Sequence, residues 1–378
     1  MKSILYVGMD VHKSNYTLCC YCVEKDETFA AVQMEPKATN IIKYLEQIKR
    51  NYGGCEFLCG YEAGSLGYSL YHQLIAYGID CVILAPSTMA DTNNRRVKTD
   101  KRDAMNIAKN LAYRTYSAVY IPTEEDNAVK EYIRMRDDAK DNLKKLKQRV
   151  LSFCLRNGRH FTETQSHWTL KHIAWLKRQD FGNAILQEAF EEYLTLYFQA
   201  TDKVELFDKR IEELAKRESY EEKVKKLTCL IGVKAHSALA TIVETGDFIR
   251  FKTAQQYAAY LGLVPGEKSS GESKRRTGIT KAGNSHVRKL LVEAAQSYSR
   301  GAVGYKSKTL SARQKGNDPK VIAYADKANE RLRRKFYRLT LNNTKRNVAV
   351  TAVARELACF IWGMMTNNTD RPVEDPIS

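Results

Sequence analysis

The stretch ILYVGMDVHKSNYTLCCYCVEKDETFAAVQM, residues 4–34, decides the fold. It contains three short runs rich in β-branched, aromatic and Cys residues, Ile4 to Met9, Tyr16 to Val23 and Phe29 to Met34, separated by polar turns. Such runs read as strands. Their connections are too short for crossovers, so the three must be antiparallel. Beyond them the period changes. Ile41, Ile42, Leu45 and Ile48 follow helical spacing within Asn40 to Arg50. Cys55 to Tyr61 is then a strand, Tyr68 to Tyr77 a helix, Cys81 to Leu84 a strand and Asp100 to Tyr113 a helix. The order is βββαβαβα, and its helix-separated strands can run parallel, which predicts a mixed sheet.

This is the strand order of the ribonuclease-H-like fold, and it predicts an α/β domain over residues 1–122. Residues 123–220 read as a helical connector. One long pattern runs from Glu124 to about Leu155, a short one over Trp168 to Lys177, and a second long one over Asn183 to Arg217. Heptad spacing in the first is broken by polar residues, so an antiparallel or intermolecular coiled-coil connector and a bundle packed on the sheet fit equally well. Residues 221–367 read as a mainly α domain, interrupted by a Gly, Ser and Lys/Arg-rich loop, PGEKSSGESKRRTGIT, over Pro265 to Thr280. The polar tail 368–378 reads as disordered.

The chain has 378 residues, with 61 Lys and Arg against 44 Asp and Glu, a net charge of +17. The segment from Lys268 to Arg346 holds 21 basic and 5 acidic residues, nearly the whole excess. A basic region so concentrated expects a polyanionic partner. No apolar run approaches the ~20 residues of a membrane span, and MKSILYVGMDVHK turns polar too soon for a signal peptide. The nine cysteines form neither a CxxC pair nor a recurring spacing. That expects a reducing cytoplasm rather than a zinc ribbon or a disulfide framework.

Four carboxylates stand out. Asp10 ends the first strand in VGMDVHK, and Glu62 ends the fourth in LCGYEAGS, where Gly60 and Gly64 would let the backbone approach something closely. Asp100 and Asp103, in KTDKRDAMN, share a face at a helix start. Singly, each reads as a cap, a dipole complement or a turn residue. Jointly, on this strand order and beside the basic segment, they read as a cluster for divalent metal in phosphoryl transfer.

These residues resemble the DEDD motif of insertion-sequence transposases that join a RuvC-like domain to a Transposase_20-type domain, a family that includes the pilin-gene inverting recombinases. The likeness continues through LIGVKAHSALATIVETGDFIRF, QQYAAYLGLVP, SSGESKRRTGITKAGNSHVRKLL and VAVTAVARELACFIWGMM. It implies that Asp10, Glu62, Asp100 and Asp103 hold Mg²⁺ or Mn²⁺, and that Ser270 is the nucleophile that becomes joined to DNA. It further implies donor and target DNA as substrates, a non-coding guide RNA from the same element, and a homo-oligomer in which dimers assemble to a tetramer. The residues alone leave Ser269 and Ser270 equivalent and allow SSGES to be a plain flexible loop.

The basic segment supports this reading. Lys268, Lys274, Arg275, Arg276 and Lys281 surround the serines in sequence, and Lys327, Arg331, Arg334, Lys335 and Arg338 fall near one helical face with aromatic residues between them. Both groups are expected to bind phosphates. Cys229 to Asp247 reads as two helical segments joined through Gly232, either a phosphate-binding hairpin or an ordinary turn. His12 could orient Asp10 or contact DNA, and His286 could face phosphate. His160, His167 and His172 match no zinc spacing and read as surface or packing residues. The reaction expected is metal-assisted attack by Ser270 on a phosphodiester, with a covalent phosphoserine intermediate. Two rivals are a RuvC-like junction nuclease using water and a non-enzymatic nucleic-acid-binding protein.

Overall fold

The computed structural model describes residues 3–90, 99–270 and 273–369, the side chains of 87, 268–270 and 273–276 excepted. It divides into two compact units, Met1–Ile121 and Pro122–Ser378.

The first unit is built on a five-stranded sheet of order β3-β2-β1-β4-β5. Its strands are β1 (Ile4–Val11), β2 (Tyr16–Cys22), β3 (Glu27–Met34), β4 (Glu56–Glu62) and β5 (Asp80–Leu84). β1 is antiparallel to β2 and parallel to β4, so the sheet is mixed as its connections require. Helices α1 (Ala38–Tyr52) and α2 (Ser69–Ala76) connect the parallel strands, and α3 (Asp100–Tyr113) follows β5. Leu5, Val7 and Met9 of β1 are buried with Ile41 and Leu45 of α1 and Leu74 of α2. Tyr6 packs on the other face with Ile107 and Leu111 of α3, so the unit has three layers.

Among the described residues, the regular structure of the second unit is helical apart from one hairpin. Helices α4 (Glu124–Arg156), α5 (Leu170–Lys177) and α6 (Ala184–Leu214) come first. Ile133 of α4 clusters with Ile211, Leu143 with Val204, and Val150 with Leu194. As α4 advances its partners recede along α6, so the two long helices form an antiparallel pair within the chain. Thr123 and Asn183 cap their N-termini with side-chain oxygens.

The remaining helices are α7 (Glu218–Thr228), α8 (Ala235–Thr245), α9 (Ala254–Tyr260), α10 (Ser285–Ala295), α11 (Lys308–Gln314), α12 (Pro319–Leu341) and α13 (Arg346–Met365). Most of them enclose one large core, which also takes in Val129 and Ile133 at the root of α4. Contrary to expectation, α13 is long and apolar enough by composition to cross a membrane. It is the central core helix of this unit, with Val353, Ala354, Leu357 and Ala358 wholly enclosed. All nine cysteines are free and buried.

Candidate active site

Alternation along β1 sets the direction of Asp10. With Leu5, Val7 and Met9 on the α1 and α2 face, Tyr6, Gly8 and Asp10 belong to the face covered by α3. Gly8 is what lets α3 come so near: a Cβ there would stand 2.0 Å from the Ala104 carbonyl oxygen and 2.4 Å from the Ala108 nitrogen. Gly60, its partner in the parallel register, makes the same allowance for the side chains of Leu111 and Leu84. Gly64 makes none, since its nearest neighbour would be the Glu62 carbonyl at 3.9 Å. The first turn of α3 therefore comes down on the end of β1.

Asp10, His12 and Asp100 each place one potential ligand atom within 4.8 Å of the others. His12 Nε2 lies 3.2 Å from Asp10 Oδ2, a buried oxygen that meets no donor in good hydrogen-bonding geometry. Burial raises the Asp10 carboxyl above its usual range; His12 pulls against this, while the charges of Asp100 and Asp103 push the same way as burial. Glu62 and Asp103 lie outside the tight trio. Glu62 ends β4, one residue past the Met9 and Tyr61 pair, and is exposed. Asp103 is in the first turn of α3, where its charge reaches Asp10. Crowded carboxylates with an unsatisfied buried oxygen are the donor set that a divalent cation relieves, so these residues fit one.

The expected loop in the second unit is a β-hairpin, β6 (Pro265–Ser270) and β7 (Ser273–Ile279), with Ser270 paired to Ser273 and Ser269 to Lys274. Its sequence hid the strands because a two-stranded ribbon need not bury either face, so no apolar alternation marks it. The base is firm. Thr280 N donates to Val264 O at 2.9 Å and Lys281 N to Gly262 O at 3.1 Å. A Cβ on Gly262 would meet the Ala282 carbonyl at 2.2 Å. Ser270 ends its strand, while its side chain and those of Lys268, Ser269, Lys274, Arg275 and Arg276 lie outside the described residues. Lys281 is exposed just past the hairpin.

Comparison with known proteins bears on both halves. A DEDD transposase profile of the IS110 type matches residues 7–156, and the profile of the IS116/IS110/IS902 transposase family matches residues 224–310. The transposase of insertion element IS1533 from Leptospira borgpetersenii is 33% identical over 341 residues, covering 90% of this chain and 97% of that protein. A putative transposase, y4qE, of Sinorhizobium fredii is 34% identical over 360 residues, 95% of this chain and 88% of its own length. The IS1111A transposase of Coxiella burnetii is 23% identical over 367 residues, 97% and 91% of the two chains.

The chain belongs to the IS110/IS116 transposase family. Its members catalyse DNA cleavage and strand transfer, which makes this protein an enzyme of DNA phosphoryl transfer. The first matched segment contains all four acidic positions and His12, and the second contains Ser270.

Within the second unit of this transposase, sequence reading missed a partly buried charge network. His286 places Nδ1 3.1 Å from Glu244 Oε1 and Nε2 2.8 Å from Asp137 Oδ2. Two carboxylates accepting from both ring nitrogens require the doubly protonated ring. The hydrogen bonds to Asp137 and Glu244 accordingly raise His286 to about 9. Burial works to raise Glu244, but His286, Arg134 and Asn284 hold it down to about 2. Burial opposes the ionised form of Asp137 too, yet His236, His286 and Arg136 keep it well below the usual carboxylate range. The sequence leaves the role of His286 open, with phosphate as one option; in the structure both ring nitrogens are occupied by carboxylates. No local signal could have found this, since its partners lie 42 and 149 residues away in sequence.

Three further expectations are sharpened. Of the two helical segments expected within Cys229 to Asp247, the structure has one, α8; α7 already ends at Thr228, and Cys229 to Lys234 is the turn between the two helices. Gly232 there has φ +80°, and a Cβ would meet the Ala294 carbonyl of α10 at 2.2 Å. His172 is fully buried, and its Nδ1 accepts from Trp168 N at 3.0 Å. The basic α12 residues do share a face, and that face has its own acids: Arg331 Nε pairs with Glu356 of α13, Lys335 Nζ with the same carboxylate at 2.7 Å, and Arg334 with Glu330.

Proposed function

We propose that this transposase acts through a covalent phosphoserine intermediate, with Ser270 as nucleophile and Asp10, Glu62, Asp100 and Asp103 as the carboxylates around the scissile phosphate. The observation that carries the reading is the trio Asp10, His12 and Asp100, brought within 4.8 Å on a face that Gly8 opens to α3. A bound Mg²⁺ or Mn²⁺ ion would supply Lewis acidity to the phosphoryl oxygens. Asp10 and Asp100 would hold it, with Glu62 and Asp103 flanking, and His12 would orient the Asp10 carboxylate.

Ser270 Oγ gives up its proton and forms a bond to phosphorus; the bond from phosphorus to the departing strand oxygen breaks, and that oxygen takes a proton. Attack by the hydroxyl of another strand reverses the step and reseals DNA without loss of bond energy. Lys268, Lys274, Arg275, Arg276 and Lys281, on and beside the hairpin, hold the phosphates of the scissile strand. The protein works as a cytoplasmic homo-oligomer, dimers assembling to a tetramer, with donor and target DNA chosen by a non-coding RNA of its own element. The family likeness stated above supports these last points.

The test is to trap the protein on DNA. Wild-type protein with Mg²⁺ should give a covalent adduct that Ser270→Ala abolishes and Ser269→Ala retains. Cleavage by Ser270→Ala with no adduct in the wild type would instead assign the attack to water. Sequencing of RNA that co-purifies with the chain tests the guide, and recovery of no element-encoded RNA removes it.

A further inference from the structure

The matched segments end before α12, and the structure gives that helix a groove of about 720 Å³. Along one side stand Lys327, Arg331, Arg334, Lys335 and Arg338, spaced so that they fall on a single helical face. Glu356 and Glu330 occupy three of these cations. Lys327 and Arg338 are exposed and have no carboxylate partner among the described residues. Glu356 is nearly inaccessible, 3% exposed, so Arg331 and Lys335 are anchored from beneath.

The other lining is of a different character. Leu341 is 81% exposed and Val303 39%, and Tyr337, tied by its hydroxyl to Gly301 O at 2.8 Å, lines the groove with them. A large exposed leucine beside a row of cations serves no part of the helical core. A duplex would offer this groove phosphates and sugars and leave its apolar wall uncovered. An unpaired strand offers phosphates to one side and base faces to the other.

We infer that the α12 groove binds single-stranded nucleic acid, with phosphates on Lys327 and Arg338 and bases against Leu341, Val303 and Tyr337. This deepens the reading of the chain as a DNA-processing enzyme, since strand exchange exposes unpaired segments, and it rests on that reading. An acidic peptide would satisfy the cations and leave the apolar wall idle, so a strand is the better fit.

Fluorescence anisotropy on the full chain, with short oligo-dT, oligo-U and duplex probes across a salt series, measures this directly. The exposed pair Lys327→Ala and Arg338→Ala should weaken single-strand binding about tenfold and lower the salt slope by roughly 1.4, the share of two phosphate contacts. Leu341→Ser, a change at an exposed site, should weaken single-strand binding about fivefold and leave duplex binding as it was. Either order of dT and U supports the groove and identifies the sugar of its strand. Equal losses on strand and duplex, no loss in either variant, or displacement by polyglutamate as effective as by oligonucleotide would overturn it. Repeating the set in a Ser270→Ala background keeps the result independent of the nucleophile: the groove's losses must persist whether or not that serine forms an adduct.

Discussion

Each of the two units gathers carboxylates around imidazole, and the two gatherings stand in opposite electrostatic states. At the end of β1, burial and the charges of Asp100 and Asp103 make ionised Asp10 costly, and His12 only partly offsets them. Between α4, α8 and α10, the acids Asp137 and Glu244 are held ionised by His236, His286, Arg134 and Arg136, and His286 is held protonated in return. The same residue types therefore do different work. A cluster short of positive charge is prepared for a cation, whereas one already compensated is a strut that joins helices. A count of Asp, Glu and His in sequence cannot tell them apart; the sign of the displacement from ordinary ionisation can.

The contrast predicts opposite outcomes for equivalent substitutions. Asp10→Asn should lower DNA cleavage on the order of a hundred- to a thousandfold, the scale on which losing one preorganised electrostatic group costs a transition state. Because Asp10 is strained when ionised, the same change should leave the melting temperature as high as wild type or higher. A marked drop in that temperature would mean that the first cluster is also a strut. Asp137→Asn should do the reverse in stability, losing on the order of 3 kcal/mol in urea unfolding, the lower end of the cost of removing one partner of a buried ion pair, since Asp137 keeps 17% of its side chain exposed. An unchanged unfolding midpoint would dissolve the distinction.

Stability against pH sharpens the second half of the comparison. His286 titrates near 6.5 in an unfolded chain and about 9 in the fold, so the native state holds its proton more tightly. Its contribution, on the order of 2–3 kcal/mol, is complete below about pH 6.5 and is lost as pH rises through about 9. Glu244 works from the other side: displaced from 4.5 to about 2, it contributes above 4.5, and the contribution is lost as pH falls toward 2. Urea unfolding at a series of pH values should show a decline between pH 7 and 10 that His286→Gln flattens. A decline of the same size in the variant would place its origin elsewhere.

Much of the first unit was legible because a sheet writes its periods into the chain. The strand and helix order, and Asp10 and Glu62 at strand ends with Asp100 and Asp103 at a helix start, follow from alternation and capping positions. Gly8, which sets the distance of α3 from β1, looked like any strand glycine because its meaning lies with Ala104 and Ala108, nearly a hundred residues on. The hairpin of the second unit was hidden for lack of a buried face. Its charge network was hidden because every bond in it between helices crosses a long span of chain, from Asp137 to His286 for instance. The α12 cations were readable as a face, but their pairing with Glu356 was not, since that acid belongs to another helix.

The smallest effect bears most directly on the first cluster. A site that lacks compensating charge should gain stability when a cation supplies it, whereas a saturated network should not respond. Adding Mg²⁺ at a hundred times its dissociation constant stabilises a native state by about 2.7 kcal/mol if the unfolded chain does not bind. An exposed edge to the site and weak Mg²⁺ affinity make a smaller shift, roughly 1–2 kcal/mol at millimolar ion, the realistic expectation. The melting temperature of wild type should therefore rise with Mg²⁺, that of Asp10→Asn should rise less or not at all, and that of His286→Gln should rise as much as wild type from a lower start. The third arm is the discriminating one. If His286→Gln lost the Mg²⁺ response while Asp10→Asn kept it, the cation would belong to the second unit, and the assignment of binder and strut would have to be exchanged.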